Sequence, residues 1–283
     1  MMLSDEQVKR YHEDGYIAVP GIFTPDETRE LQAVTDEFVE KSRHVSRHTE
    51  VFDLEPGHSV EEPRLRRLKT PHLQHPAYAR ALRNERLLDL LERLLGDAIR
   101  HMNTKLNLKS PEFGSPVEWH QDWAFYPHTN DDVLAVGVAI DDMLLENGCL
   151  MVVPGSHRGP VYDHHEDGFF VGAIDPDRVP DSRVPIELAA GDVSIHHARL
   201  VHGSAPNRSA RPRRFLLFEY SAADAWPLVN FPGWSEFNDR LVRGEPTGTP
   251  RLEPVPARIP LPTHERQGSI YEVQSQLSHS AFR

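Results

Sequence analysis

A chain of 283 residues with 39% hydrophobic residues is long enough for one elaborated domain with a substantial core. Its 31 basic and 43 acidic residues give a net charge of -12, which is the wrong sign for binding nucleic acid or anionic lipid. No apolar run approaches the ~18 residues that span a membrane, and the polar start MMLSDEQVKRYHEDG does not resemble a signal peptide. Cys149 is the only cysteine, which excludes an internal disulfide. We therefore expect a cytoplasmic protein without a nucleic-acid or membrane partner.

Capping signals and apolar spacing predict a mainly helical layer over residues 1–98. Three helices are predicted, at 5–14, 25–42 and 76–95. A strand is expected at 16–23, after the helix stop at Gly15. The stretch 44–63 mixes charges with glycine and proline, shows no sustained period, and is predicted to be irregular.

From residue 99 to 225 the pattern changes to short apolar or alternating runs, such as VLAVGVAID and RRFLLFEYSA, separated by turn residues. Helices followed by strands, without alternation of the two, favour a helical layer on an antiparallel sandwich or barrel over a doubly wound sheet. The proline-rich tail, 244–283, is predicted to be an extended arm that crosses to a second subunit or covers the barrel mouth. We expect one domain over 1–283, with a homo-oligomer left open.

The stretch EWHQDWAFYPH contains a histidine and an aspartate two residues apart. On a strand, the side chains of His120 and Asp122 would share a face, while Gln121 would point the opposite way. With a second histidine from elsewhere, this pair would form the 2-His-1-carboxylate site of non-haem iron oxygenases. For the tripeptide alone, an ordinary polar strand residue is the simpler interpretation.

The downstream segment GDVSIHHARLVHGSAPNRSARPRRFLLFEY offers three candidates for the second histidine: His196, His197 and His202. Because His196 and His197 are adjacent, only one of them can face the interior of a barrel if they lie on a strand. An arginine such as Arg213 could hold a dicarboxylate co-substrate bidentately while the other end of that molecule chelates the metal. The alternative for this arginine cluster is a solvated basic strand end.

Several segments together resemble the phytanoyl-CoA dioxygenase family: HQD at 120–122, ENGCLMVVPGSH at 146–157, and GD…HGSAPNRSARPR from 191 to 213. The N-terminal YHEDGYIAVPGIFTPDE is also similar to the opening of that family, so the likeness extends over about 5–225. The resemblance implies a mainly β fold with flanking α-helices, the double-stranded β-helix or cupin-like jelly-roll barrel, which hosts ligands in its mouth.

The resemblance also implies roles for individual residues. It makes three residues the iron ligands: His120, Asp122 and His202. Arg213, 11 residues after the distal histidine, takes the place of the arginine that pairs with the far carboxylate of 2-oxoglutarate. Ser204 matches a hydroxyl that assists this carboxylate. Lys105 falls where some relatives contact 2-oxoglutarate, although the residue there is often apolar. Gly137 stands where some relatives have a tryptophan that contacts the co-substrate, which implies a roomier pocket or a different clamp.

Two aromatic residues just after the HQD segment, Trp123 and Tyr126, are candidates for the rim of a substrate pocket. The alternative for both is plain packing in the core of a β-rich chain.

The resemblance implies a non-haem Fe(II)- and 2-oxoglutarate-dependent dioxygenase that uses O₂. The expected reaction is hydroxylation of a C–H bond in a small organic metabolite, with release of succinate and CO₂. Two alternatives stay open: a metal-dependent cupin-like enzyme without 2-oxoglutarate, and a non-catalytic barrel that binds a small ligand. The combination of His120, Asp122, His202 and Arg213 weighs against both, since a degenerate binder has no need of all four.

Overall fold

The computed structural model describes residues 2–264 and 268–282. Its helices are α1 Asp5–Asp14, α2 Pro25–Ser42, α3 Pro71–Gln74, α4 Pro76–Leu82, α5 Glu85–Leu95, α6 Trp234–Asp239 and α7 Ile270–Gln274. Its strands are β1 Tyr16–Val19, β2 Phe52–Leu54, β3 Leu65–Lys69, β4 Ile99–Lys109, β5 Val117–His120, β6 Val133–Ala139, β7 Leu150–Val152, β8 His165–Glu166, β9 Phe169–Phe170, β10 Val184–Ile186, β11 Val193–His197, β12 His202–Ser204, β13 Arg213–Ala222 and β14 Leu241–Arg243.

Two antiparallel sheets form a jelly-roll. The larger has the order β1-β11-β6-β13-β4-β3-β2, with β14 pairing with β4, and the smaller has the order β10-β7-β12-β5. Apolar side chains from both sheets meet in one cluster, in which Phe215 and Leu217 of β13 pack with Leu150 and Val152 of β7. Two stacked sheets with interdigitated inner faces are the expected architecture for such alternating strands.

The N-terminal helices cover the outer face of the larger sheet. Leu31 and Phe38 of α2 share a buried cluster with Leu106 of β4 and Leu216 of β13. Because side chains alternate along a strand, the residues on either side of these leucines point into the barrel. The inward positions on β4 and β13 are therefore the odd-numbered ones: Lys105, Asn107, Lys109, Arg213, Phe215, Leu217.

Helices α1 and α2 confirm the capping-box predictions. Ser4 accepts from the backbone of Gln7, and Thr24 accepts from the backbone of Glu27. The helix predicted at 76–95 is wrong as one element, because it divides into α4 and α5 at Asn84. Asn84 has an extended backbone, and its side chain accepts from the first backbone amides of α5.

Two other predictions require correction. The strand expected at 16–23 ends at Val19, and the stretch 44–63 contains the short strand β2. Strand β3, which follows that stretch, was not predicted at all. Both short strands extend the larger sheet at its edge beside β4, so their place depends on a long-range partner rather than on a local pattern.

The C-terminal arm packs against its own barrel. The indole Nε1 of Trp123 donates to the carbonyl of Pro256 at 2.8 Å, and the ring of Phe282 stacks on Trp119 with centroids 5.7 Å apart. The arm also contains a short helix, α7, where an extended segment was expected. Among the described residues, no helix has both the length and the apolar character needed to cross a membrane.

Candidate metal centre and its cavity

His120 and Asp122 converge, although not on one strand. Strand β5 ends at His120 and a 3-10 turn begins at Asp122, which corrects the expected continuous strand. Gln121 between them keeps an extended backbone, with φ -118° and ψ 126°. His120 Nε2 consequently lies 3.6 Å from Asp122 Oδ1. Gln121 points away and donates through Nε2 to the carbonyl of Arg199 at 2.7 Å.

The third member of the cluster is His202. Strand β12 is antiparallel to β5, and its first residue, His202, is paired with His120. His202 Nε2 lies 3.9 Å from Asp122 Oδ2. One ligand atom from each of His120, Asp122 and His202 lies within 4.8 Å of the others, and all three residues are buried. The register of two neighbouring strands therefore brings together residues that are about 80 positions apart in sequence.

Both imidazoles of the cluster are oriented for metal binding. His120 Nδ1 lies 2.8 Å from the carbonyl of Glu118, and His202 Nδ1 lies 2.9 Å from the carbonyl of Leu200. Since a carbonyl oxygen only accepts, each Nδ1 carries the proton and each Nε2 presents its lone pair towards Asp122. Two neutral imidazoles and one carboxylate on one side of a cavity fit Fe(II).

The charges around the cluster favour the same protonation states. Burial alone would raise the pKa of Asp122, but the positive charge of Lys105 and the neighbouring His120 and His196 hold it well below its ordinary value. Burial lowers the pKa of His202 well below its ordinary value, and His120 and His196 lower it further. The cluster is therefore an ionised carboxylate beside a neutral imidazole, as metal binding requires.

A cavity of about 40 Å³ adjoins the cluster and is lined by all three of its members. Of the residues predicted to hold the co-substrate, Lys105, Ser204 and Arg213 all line this cavity. Lys105 Nζ is paired with Glu219 Oε1 at 2.6 Å, and Ser204 Oγ accepts from Lys109 Nζ at 2.9 Å.

Arg213 is fully enclosed and only partly satisfied. Its Nη1 reaches the carbonyl of Asn107 at 3.4 Å, and its Nε has no hydrogen-bond partner among the described residues. A second buried arginine, Arg67, lines the same cavity, donates through Nε to Asn107 Oδ1 at 2.8 Å, and leaves Nη2 without a partner in the described chain. Two guanidinium groups with spare donors form a ready anion site.

Sequence reasoning missed Arg67 and left His196 undecided. Arg67 lies on β3, which was not predicted as a strand, so its inward direction had no signal. His196 lines the cavity with its Nε2 3.7 Å from Asp122 Oδ2, whereas the next residue, His197, faces Asp131. Both ring nitrogens of His196 lack a hydrogen-bond partner among the described residues. Only one of the adjacent histidines faces inward, as strand alternation predicts.

The two aromatic candidates for the pocket rim differ from each other. Trp123 is completely buried within the main hydrophobic cluster and does not line the cavity, because its ring fills the space beneath the C-terminal arm. Tyr126 does not line this cavity either, but it lines a neighbouring cavity together with Glu219. Burial raises the pKa of its phenol well above the ordinary value, and the charges of Asp122 and Glu219 raise it further.

Comparison with known proteins agrees with this geometry. A family model described as phytanoyl-CoA dioxygenase (PhyH) matches residues 11–215. The probable alpha-ketoglutarate-dependent hypophosphite dioxygenase of Stutzerimonas stutzeri is 37% identical over 284 residues, covering 98% of this chain and 99% of that protein. The L-proline trans-4-hydroxylase of Streptomyces griseoviridis is 30% identical over 242 residues, covering 77% of this chain and 86% of that protein.

Solved structures are similar as well. The iron-bound structure of EctD from S. alaskensis has a TM-score of 0.69 and 26% identity, covering 89% of this chain and 87% of that one. The epimerase SnoN, in complex with Fe³⁺, alpha ketoglutarate and nogalamycin RO, has a TM-score of 0.64 and 26% identity, covering 93% and 96%. Alpha-ketoglutarate is 2-oxoglutarate, so this protein is an iron- and 2-oxoglutarate-dependent dioxygenase that acts on a small molecule. The chain belongs to the phytanoyl-CoA dioxygenase family.

Proposed function

We propose that this dioxygenase hydroxylates a small oxyanion, with hypophosphite as the first candidate substrate. The observation that carries the proposal is the excess of positive charge around the cavity. Three of its lining residues are cationic, Arg67, Lys105 and Arg213, whereas Asp122 is the one carboxylate among the described lining residues. Glu219 does not line the cavity, but it forms an ion pair with Lys105 and neutralises its charge.

The charge balance favours a monoanion. The ion pair of Lys105 and Glu219 is neutral. The two arginines of the cavity then carry two positive charges against the single negative charge of Asp122, which leaves a net charge of one positive unit. Fe(II) and the dianion 2-oxoglutarate cancel each other. An uncompensated buried charge is costly, so a substrate with one negative charge would complete the site. The near full-length similarity to a protein named for hypophosphite supports the same choice.

In this proposal His120, Asp122 and His202 hold the iron, and Arg213 holds the far carboxylate of 2-oxoglutarate with help from Ser204. Bound iron and 2-oxoglutarate would supply the oxidation, in which O₂ places one oxygen in succinate and the other in the hydroxylated product. Lys105 keeps Asp122 ionised and has ammonium protons beyond the one given to Glu219.

For hypophosphite the balance of the reaction is simple. One P–H bond becomes P–OH, giving phosphite, while 2-oxoglutarate is oxidised to succinate and CO₂. The protein's share is to exclude water and to orient the substrate beside the metal. Tyr126, whose phenol lies near Asp122, is the proposed substrate contact of the two aromatic candidates. Trp123 is enclosed in the core and is not proposed as a substrate contact.

Hydroxylation of a C–H bond in a small organic metabolite is the second candidate. It is favoured by the relative that is named as an L-proline hydroxylase. The cupin-like enzyme without 2-oxoglutarate and the non-catalytic barrel disagree with the relatives that are named for 2-oxoglutarate chemistry. The cytoplasmic location and the homo-oligomer considered from the sequence stay predictions.

The test is turnover by the Fe(II)-loaded protein in air with 2-oxoglutarate and hypophosphite. Phosphite, followed by ³¹P NMR, is expected to form in equal amount with succinate, and His202→Ala should reduce both by at least a hundredfold because the metal loses a ligand. L-Proline serves as the parallel substrate. Coupled hydroxylation of L-proline without any phosphite would reject the oxyanion and favour the second candidate.

A further inference from the structure

The C-terminal helix α7 forms part of the cavity wall, although the family match ends at residue 215. Ile270, its first residue, lines the cavity. Gln274 anchors the helix to the barrel, since its Oε1 accepts from the amide of Glu118 at 3.0 Å and its Nε2 donates to the carbonyl of Gly172 at 2.8 Å. The hydroxyl of Ser269, before the helix, donates to the carboxylate of Asp53. The helix is thus held on both sides.

This anchoring buries Tyr271 beside two arginines of β3: Arg66, whose guanidinium carbon lies 4.7 Å from the centre of the phenol ring, and the cavity residue Arg67. The Tyr271 side chain is almost fully enclosed, with 5% of the residue exposed. The guanidinium carbon of Arg67 lies 5.2 Å from the centre of the phenol ring, and the charge of Arg213 also acts on the phenol. Arg67 of β3, Arg213 of β13 and Ile270 of α7 all line the cavity, and Tyr271 directly follows Ile270.

Tyr271, Arg67 and Arg213 have polar atoms without a partner. Within the described residues, the hydroxyl of Tyr271, Nη2 of Arg67 and Nε of Arg213 are buried and make no hydrogen bond. Buried polar atoms in folded proteins are nearly always paired, so unpaired atoms on two cavity arginines and on the neighbouring Tyr271 indicate a ligand that completes them.

The unpaired atoms also define the chemistry of that ligand. Guanidinium groups only donate, and burial raises the pKa of Tyr271 above its ordinary value even though Arg213 and Arg67 lower it, so the phenol keeps its proton. Three donors without an acceptor match an ionised carboxylate, which only accepts. The family relationship supplies such a group in 2-oxoglutarate, the co-substrate.

We propose that Tyr271 is a co-substrate-binding residue, whose hydroxyl donates to the far carboxylate of 2-oxoglutarate alongside Arg213. This inference rests on the proposed role of Arg213 as the partner of that carboxylate. It adds to the site a residue from the C-terminal segment, outside the part of the chain that matches the family model.

The experiment is an anaerobic titration of the Fe(II)-loaded protein, followed by the visible charge-transfer band of the chelate, with two ligands. The first is 2-oxoglutarate, and the second is 2-oxobutyrate, which chelates through the same keto acid but has no far carboxylate. Tyr271→Phe should raise the Kd for 2-oxoglutarate about tenfold, through loss of one charge-assisted hydrogen bond, and leave the Kd for 2-oxobutyrate unchanged.

A matched control is Tyr78→Phe, because Tyr78 is also a buried tyrosine but its hydroxyl pairs with Thr35 at 2.8 Å, away from the cavity. This variant should leave both Kd values unchanged. An equal change for both ligands in Tyr271→Phe, or no change for 2-oxoglutarate, would overturn the role of Tyr271 and leave the proposed iron site intact. If the unsubstituted protein with bound iron shows no band with either ligand, the proposed co-substrate site and this inference both fail.

Discussion

The ring of Phe215 occupies the space beside Gly137 inside the barrel. A Cβ atom built on Gly137 would lie 1.9 Å from Cζ of the Phe215 ring, so no side chain can be added on β6 while that ring stays in place. Phe215 also lines the cavity. The sequence predicted either a roomier pocket or a different clamp at Gly137. The structure shows that an aromatic ring from the neighbouring strand fills the space.

We predict that Gly137→Ala lowers the free energy of unfolding by about 1–3 kcal/mol, since the added methyl group overpacks the core against Phe215. Urea denaturation measures this change. In a Phe215→Leu background the same substitution should cost much less, because the shorter side chain leaves room for the methyl group. Equal losses in both backgrounds would show that the two residues do not compete for space.

At the scale of secondary-structure elements, local signals predicted the bounds of α1 and α2 but not the break between α4 and α5. The amphipathic spacing from Pro76 to Leu95 continues through Asn84, so periodicity alone favours one helix. Asn84 ends that continuity because its Oδ1 accepts from the amides of Arg86 at 3.0 Å and Leu87 at 3.4 Å. The only local signal for the break was an asparagine, a residue that often caps helices. The apolar spacing through the same position favoured one continuous helix.

Asn84→Ala is expected to destabilise the protein by about 1 kcal/mol, because the first amides of α5 lose their acceptor. Asn84→Asp keeps an acceptor at the same place and should retain most of the stability. Thermal or urea unfolding of the two variants beside the unsubstituted protein measures the difference. If alanine and aspartate had the same effect, the cap would contribute nothing and the break in the helix would have another cause.

At the scale of the whole molecule, the metal cluster links two segments that local structure cannot hold together. His120 ends β5, Asp122 follows two residues later, and His202 begins β12, so an ion bound between them joins two strands of the smaller sheet. An ion that binds only the folded state stabilises that state by mass action.

Saturation with Mn(II), a redox-stable substitute for Fe(II), should therefore raise the free energy of unfolding by about 2.7 kcal/mol at a hundredfold excess over the Kd. The midpoint of thermal unfolding should rise as well, and removal of the ion with EDTA should reverse this rise. His202→Ala should abolish most of the shift. A shift of the same size in this variant would mean that the ion binds elsewhere.

The sequence by itself determined the family and the residues proposed to carry its chemistry. HQD at 120–122, the distal His202 and Arg213 are recognisable because they occur at family spacings, and the caps of α1 and α2 are recognisable because they depend on neighbours three residues away. The tertiary structure decided which other residues enter the cavity. Arg67 and His196 reach it through strand register, and Ile270 reaches it through the return of the C-terminal segment. Such long-range contacts leave no periodic signal in the chain.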